Sequence, residues 1–171
     1  MIRKIVKYGD PVLETPADPV EEFDTEELRQ IVDDMFETMY DASGVGLAAP
    51  QIGLSKRLTV IDCSCGEDPE EKLVLINPEI LTAEGKQVGE EGCLSIPGFR
   101  EDVKRAQKVT VRARDVKGDT FEIEGEDLLA RAILHENDHL DGILFLRHIS
   151  SLKREMIKRK IRKLRDKGEW D

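Results

Sequence analysis

His135 and His139 stand four residues apart with Glu136 beside the first, in a chain that holds only three histidines. The run Leu128-Leu129-Ala130-Arg131-Ala132-Ile133-Leu134 that leads into them reads as a helix. Positions i and i+4 of a helix lie on one face, so both imidazoles reach a single metal ion. Glu136 is turned roughly 100° from His135, where it meets a water at the ion without being a ligand. This is the core of a metal hydrolase. The alternative is a solvated helical face carrying the same letters by chance, since bare His-Glu-x-x-His matches occur without metal.

A catalytic site of this type takes three protein ligands and leaves one position open. A third His six residues beyond His139 would define one protease class, but that position is Phe145, although Gly142 fits. A Glu about twenty residues downstream would define another. Lys158, Arg159 and Lys160 stand there instead, and Glu155 and Glu169 are poorly spaced. His148 reaches the ion only if the chain doubles back at once. Cys93, in Glu91-Gly92-Cys93-Leu94-Ser95, is the best remaining donor, because a thiolate binds strongly and its glycine neighbour permits close approach. Its other reading is a small buried side chain.

These groups need elements to carry them. The His-bearing helix should start near Glu126-Asp127 and end around Asp141-Gly142. Asp24 or Thr25 caps an earlier helix whose Leu28, Ile31, Val32, Met35, Phe36 and Met39 form a core-facing stripe. It stops near Ser43-Gly44. The following run, Gly44 to Gly53, has little side-chain bulk, so a backbone can approach a ligand there, and Gln51 is its only polar side chain. A simple turn is the other reading; a phosphate cradle lacks the needed spacing. Leu58–Asp62, Leu73–Asn77, Val103–Arg114 and Thr120–Glu124 read as strands, the last two joined by a turn at Asp115–Asp119. Cys63 and Cys65 face one way if extended, yet no second pair completes a four-sulfur site, so they read as inert. Ser150 or Ser151 caps a terminal helix with Leu152, Met156, Ile157, Ile161 and Leu164 on one side and Lys and Arg on the other. Strands clustered mid-chain with helices at both ends indicate an α+β fold.

At 171 residues the chain is read as one domain, 1–171, with 151–171 a basic C-terminal helix. Residues 1–150 carry 17 basic and 32 acidic side chains and residues 151–171 carry 9 and 4, so the net charge of −10 divides into −15 and +5. An acidic body argues against DNA and general nucleic-acid affinity, while the basic tail suits RNA or an acidic protein surface. Three cysteines suit a reducing compartment. With no apolar run of signal-peptide or membrane-span length, the expected place is the cytoplasm, away from membranes.

Three motifs, Gly44-Val45-Gly46-Leu47-Ala48-Ala49-Pro50-Gln51, Glu91-Gly92-Cys93-Leu94-Ser95 and His135-Glu136-Asn137-Asp138-His139, follow one another roughly forty residues apart. Together they resemble the peptide deformylases, and the likeness runs from Tyr8-Gly9-Asp10-Pro11-Val12-Leu13 to the charged terminal helix. The resemblance implies a single α+β domain with antiparallel sheets around the central His-Glu-x-x-His helix. It implies Cys93, His135 and His139 as ligands of Fe²⁺, which Zn²⁺, Ni²⁺ or Co²⁺ can replace. The implied reaction removes the formyl group from N-formylmethionine at the start of nascent chains, releasing formate. Glu136 is then the general acid-base; the Gln51 amide and the Leu94 backbone N–H stabilise the oxygen that gains charge. Gly46 aligns the peptide through its backbone, Val45, Leu128 and Ala132 line the methionine pocket, and Arg100 contacts the substrate backbone. The implied partners are N-formylmethionyl nascent peptides and the ribosome, reached through the basic helix. One departure is Leu134, where the family usually carries Gln, which touches hydrogen bonding behind the ligands. Arg131, one turn before His135, can orient Glu90 or Glu91, or face solvent.

Overall fold

The computed structural model describes residues 1–170. Helix α1 spans Glu26–Asp41, and Thr25 caps it by accepting a hydrogen bond from the Leu28 amide. Every member of its expected apolar stripe is buried. That stripe packs on strands β1 (Gly46–Ala48), β2 (Leu58–Ile61) and β3 (Leu73–Glu84), sharing a core with Leu47, Leu58, Val60 and Ile76. Strands β6 (Lys108–Arg114) and β7 (Thr120–Glu126) complete a five-stranded antiparallel sheet in the order β1-β2-β3-β6-β7.

Two strands stand apart. β4 (Gln87–Cys93) and β5 (Ile96–Arg105) form their own antiparallel hairpin, whose tip is Leu94-Ser95. The stretch Val103–Arg114, expected as one strand, is therefore two. The chain leaves the hairpin at Ala106-Gln107, where the Gln107 amide bonds the Glu84 carbonyl, and enters the larger sheet at Lys108. Both halves alternate with the same period, so periodicity alone cannot show where the partner strand changes.

Helix α2, Asp127–Leu140, carries His135 and His139. Its Ala130, Ala132 and Ile133 pack on Ile61, Leu75, Val109 and Val111 of the large sheet. Leu134 is a partly buried side chain packed against this core, so an apolar residue meets an apolar cluster there. The chain then doubles back through a 3-10 turn at Phe145–His148. Helix α3, capped by Ser150, spans Ser151–Asp166 and so ends short of the expected 171. Its packed stripe is Ile157, Ile161 and Leu164; Leu152 and Met156, expected on the same side, are exposed. The architecture is α+β, and no described helix is long and apolar enough to cross a membrane.

Candidate active site

The hairpin tip and α2 meet. Cys93 ends β4, and its Sγ lies 3.4 Å from His139 Nε2. Cys93, His135 and His139 each offer a donor atom, all within 4.8 Å of one another, and among the described residues no other such group occurs. Metal bonds of ~2.0–2.3 Å in a tetrahedral site put donors ~3.3–3.8 Å apart, so small side-chain adjustments suffice. One thiol and two imidazoles suit a borderline-soft divalent transition metal, and the residues present fit such an ion.

His135 is aimed by Glu91. Glu91 Oε1 lies 2.8 Å from His135 Nδ1, which leaves Nε2 open to a metal ion. Glu91 in turn accepts a two-pronged pair from Arg105 at 2.8 and 2.9 Å and a bond from Arg131 at 2.5 Å. Burial would raise the Glu91 carboxyl, but the bonds from Arg105 and His135 hold it well below the usual carboxylate range. Arg105 also reaches Asp138, and Asp138 meets His148. The chain does double back after α2, but His148 joins this support rather than the metal group. Arg131 faces inward to Glu91, not to solvent.

Glu136 differs from its neighbours. It is buried, its Oε1 has no hydrogen-bond partner, and burial pushes its carboxyl up to about 7. Its Oε2 lies against the backbone of Gly46, where a side chain would collide with it. His135, opposed by burial but favoured by Cys93 and Glu91, is pushed up; burial and the charge on His135 push His139 down.

Gln51 sits in a 3-10 turn, Ala49–Ile52, that follows β1. Its Oε1 accepts from the Ala48 amide at 2.9 Å, which turns Nε2 toward Cys93 Sγ (3.5 Å) and Ser95 Oγ (3.2 Å). A cleft of about 740 Å³ opens beside these groups. Val45, Gly46, Leu94, Arg100, Leu128 and Ala132 all line it. Arg100 lies over Gly92 at the mouth, held by Glu90 at 2.5 Å. The sequence-derived candidates lie close together, with Gln51 and His139 both against Cys93 Sγ and outside the cleft lining.

Sequence reasoning missed the Glu91–His135 bond, Arg105, Asp138 with His148, and Ser95. Asp138 lies three residues from His135, a spacing that could have flagged it; Arg105 reads as one more charge on an alternating strand. Cys63 and Cys65 lie outside the site. Burial pushes the Cys63 thiol up to about 11, and Cys65 is exposed on a turn.

An α+β fold with a Cys-His-His group that could hold a metal ion and a free carboxylate beside a cleft defines a hydrolase-like site. The chain belongs to the polypeptide deformylase family, whose model it matches over residues 2–155. It is 65% identical over 170 residues to the peptide deformylase of Acidobacterium capsulatum, with 99% of each chain covered. The peptide deformylase of Alkalilimnicola ehrlichii is 51% identical over 167 residues, covering 98% of this chain and 93% of that one. The crystal structure of a peptide deformylase from Legionella pneumophila superposes with a TM-score of 0.91 at 51% identity, covering 100% and 99% of the two chains. The peptide deformylase structure from Thermus thermophilus gives 0.85 at 44% identity, covering 95% and 94%.

Proposed function

We propose that the protein is a metal-dependent amide hydrolase that removes the N-formyl group from the N-terminal methionine of nascent polypeptides. Water adds to the formyl carbon, the C–N bond breaks, and formate and a free amine leave. The observation that carries this reading is Glu136, a buried carboxylate with an unpartnered oxygen, pressed between Gly46 and the Cys-His-His group.

Cys93, His135 and His139 would hold Fe²⁺, with Zn²⁺, Ni²⁺ or Co²⁺ as substitutes. Such an ion acts as a Lewis acid and makes water nucleophilic near neutral pH. The chain does the rest. Glu136 takes the proton of the attacking water on its free Oε1 and passes it to the departing amine, and its elevated pKa suits both directions of transfer. As the formyl carbon becomes tetrahedral, its oxygen gains charge. The Gln51 Nε2 amide, whose present contacts are long, and the Leu94 backbone N–H at the hairpin tip supply the donors.

The substrate lies along the free edge of β1, whose other edge is paired to β2. There Gly46 offers its backbone as for an added strand. Val45, Leu128 and Ala132 take the methionine side chain, and Arg100 reaches the peptide backbone at the mouth. A tight cavity beside the Cys-His-His group would admit a formyl group and exclude the bulkier acetyl. The exposed cations of α3 contact the ribosome, and the protein works in the cytoplasm.

The test is formate release from formyl-Met-Ala-Ser by anaerobically prepared, iron-loaded protein. Folded, metal-loaded protein that releases no formate refutes the reading.

A further inference from the structure

Helix α3 does more than carry positive charge. Beyond its last turn Gly168 adopts the left-handed conformation (φ 71°), and the Gly168 and Glu169 amides bond the Arg165 and Leu164 carbonyls. This reversal is open to glycine at little steric cost, and it turns the chain back onto the body. Trp170 is thereby buried, 5% exposed, in the core formed by Ile96, Phe145, Ile157 and Ile161.

Trp170 makes two contacts there that lead to the cleft. Its ring meets Phe99 with centroids 6.2 Å apart and planes tilted by 60°, and Phe99 is a wall of the cleft. Its Nε1–H donates to the Tyr8 carbonyl at 2.8 Å, which Arg165 Nη2 also reaches at 2.7 Å. The Tyr8 amide donates to the Ser95 carbonyl at 2.9 Å, and the Val6 amide donates to the Gln51 carbonyl at 2.8 Å. Ile5, next in line, lines the cleft. The N-terminal segment thus bridges the two backbones that present Gln51 and the hairpin tip, and Trp170 fastens its far end.

We propose that Trp170 is a positioning residue for the substrate cleft, setting the Phe99 wall directly and the Ile5–Tyr8 segment through the Tyr8 carbonyl. It touches neither substrate nor reacting atoms. Its removal leaves a void behind Phe99 and only Arg165 on the Tyr8 carbonyl, so the wall relaxes and the peptide is held less well. Binding then suffers more than the chemical step.

The proposal rests on the deformylase reading, for which formate release by the wild type is the separate control. In the full, metal-loaded chain, Trp170→Ala raises KM for formyl-Met-Ala-Ser about tenfold while kcat stays within about twofold, the signature of lost uniform binding. Trp170→Phe keeps most of the packing but loses the donor, and raises KM about two- to threefold. A second readout needs no turnover. Trp170 is the only tryptophan in the chain, so saturation with the product peptide Met-Ala-Ser shifts the wild-type emission spectrum. A purely structural role predicts a lower melting temperature for Trp170→Ala with KM unchanged; that result, or an emission spectrum unmoved by saturating peptide, overturns the proposal. Where Trp170→Ala does not fold, Trp170→Phe and the wild-type emission decide.

Discussion

Glu136 Oε2 lies 2.5 Å from the point where a Cβ on residue 46 would stand, so the carboxylate occupies space that only glycine leaves. β1 and α2, nearly ninety residues apart in the chain, meet there without a side chain between them. The same glycine can offer its backbone to a peptide and leave room for the carboxylate proposed to move the proton.

Gly46→Ala therefore displaces Glu136 rather than merely crowding the cleft. A displacement near 1 Å typically costs ~100-fold in rate. We expect kcat to fall by about that factor, with metal content unchanged when measured by elemental analysis. Wild-type kcat in Gly46→Ala would show that the carboxylate tolerates the shift.

Glu91 joins His135 to two arginines, so its neutralisation acts on the metal and on the fold together. Loss of such an outer partner typically costs 10–100-fold in metal affinity. Glu91→Gln is expected to release iron faster to a chelator by about that factor. It also leaves Arg105 and Arg131 without their shared charge partner, at a cost on the order of 3–5 kcal/mol in unfolding free energy. Equal chelation rates in the two proteins would remove Glu91 from the metal's support.

The elevated Glu136 carboxyl has a consequence for metal-free protein. Its folded pKa of about 7 lies above the unfolded value near 4.5, so between these limits the native state holds more protons than the unfolded one. Its contribution to stability is thus fully present below pH ~4.5 and is lost as pH rises through ~7. Chemical denaturation of metal-free wild type should show stability falling more steeply over this window than in Glu136→Gln. Parallel pH profiles for the two would contradict the assignment.

How much of this was legible in the sequence differs by element. The Cys-His-His group was, because helical geometry fixes the His135–His139 spacing and elimination of downstream donors leaves Cys93 as the best candidate to join them. α1 was legible through its cap and stripe. The division of Val103–Arg114 was not, because the residues alternate identically whichever strand they pair with. Arg105 was hidden for the same reason: a charge on a strand looks solvated until tertiary contacts bring Glu91 and Asp138 to it. Trp170 was unreadable because its burial depends on a reversal at Gly168 and because Tyr8, Ile96 and Phe99, among its partners, lie more than seventy residues away.

The basic helix also needs a different experiment from the one its charge suggests. Removing residues 151–171 would strip Ile157, Ile161 and Trp170 from the core, so loss of activity would say nothing of docking. Arg159, Lys160 and Lys163 are exposed. Their triple reversal to Glu is expected to weaken ribosome binding at least tenfold at low salt, since charge contacts dominate RNA affinity. Tripeptide turnover should stay within about twofold. Sedimentation with ribosomes measures the first; unchanged sedimentation would detach this helix from ribosome docking.

The most direct test of the central claim is formate release by iron-loaded wild type and Glu136→Gln, prepared together without oxygen. The wild type should deformylate formyl-Met-Ala-Ser, and Glu136→Gln, with equal iron content, should be slower by at least ~100-fold through loss of the proton carrier. Equal rates at equal iron content, or no formate from the folded wild type, would contradict it.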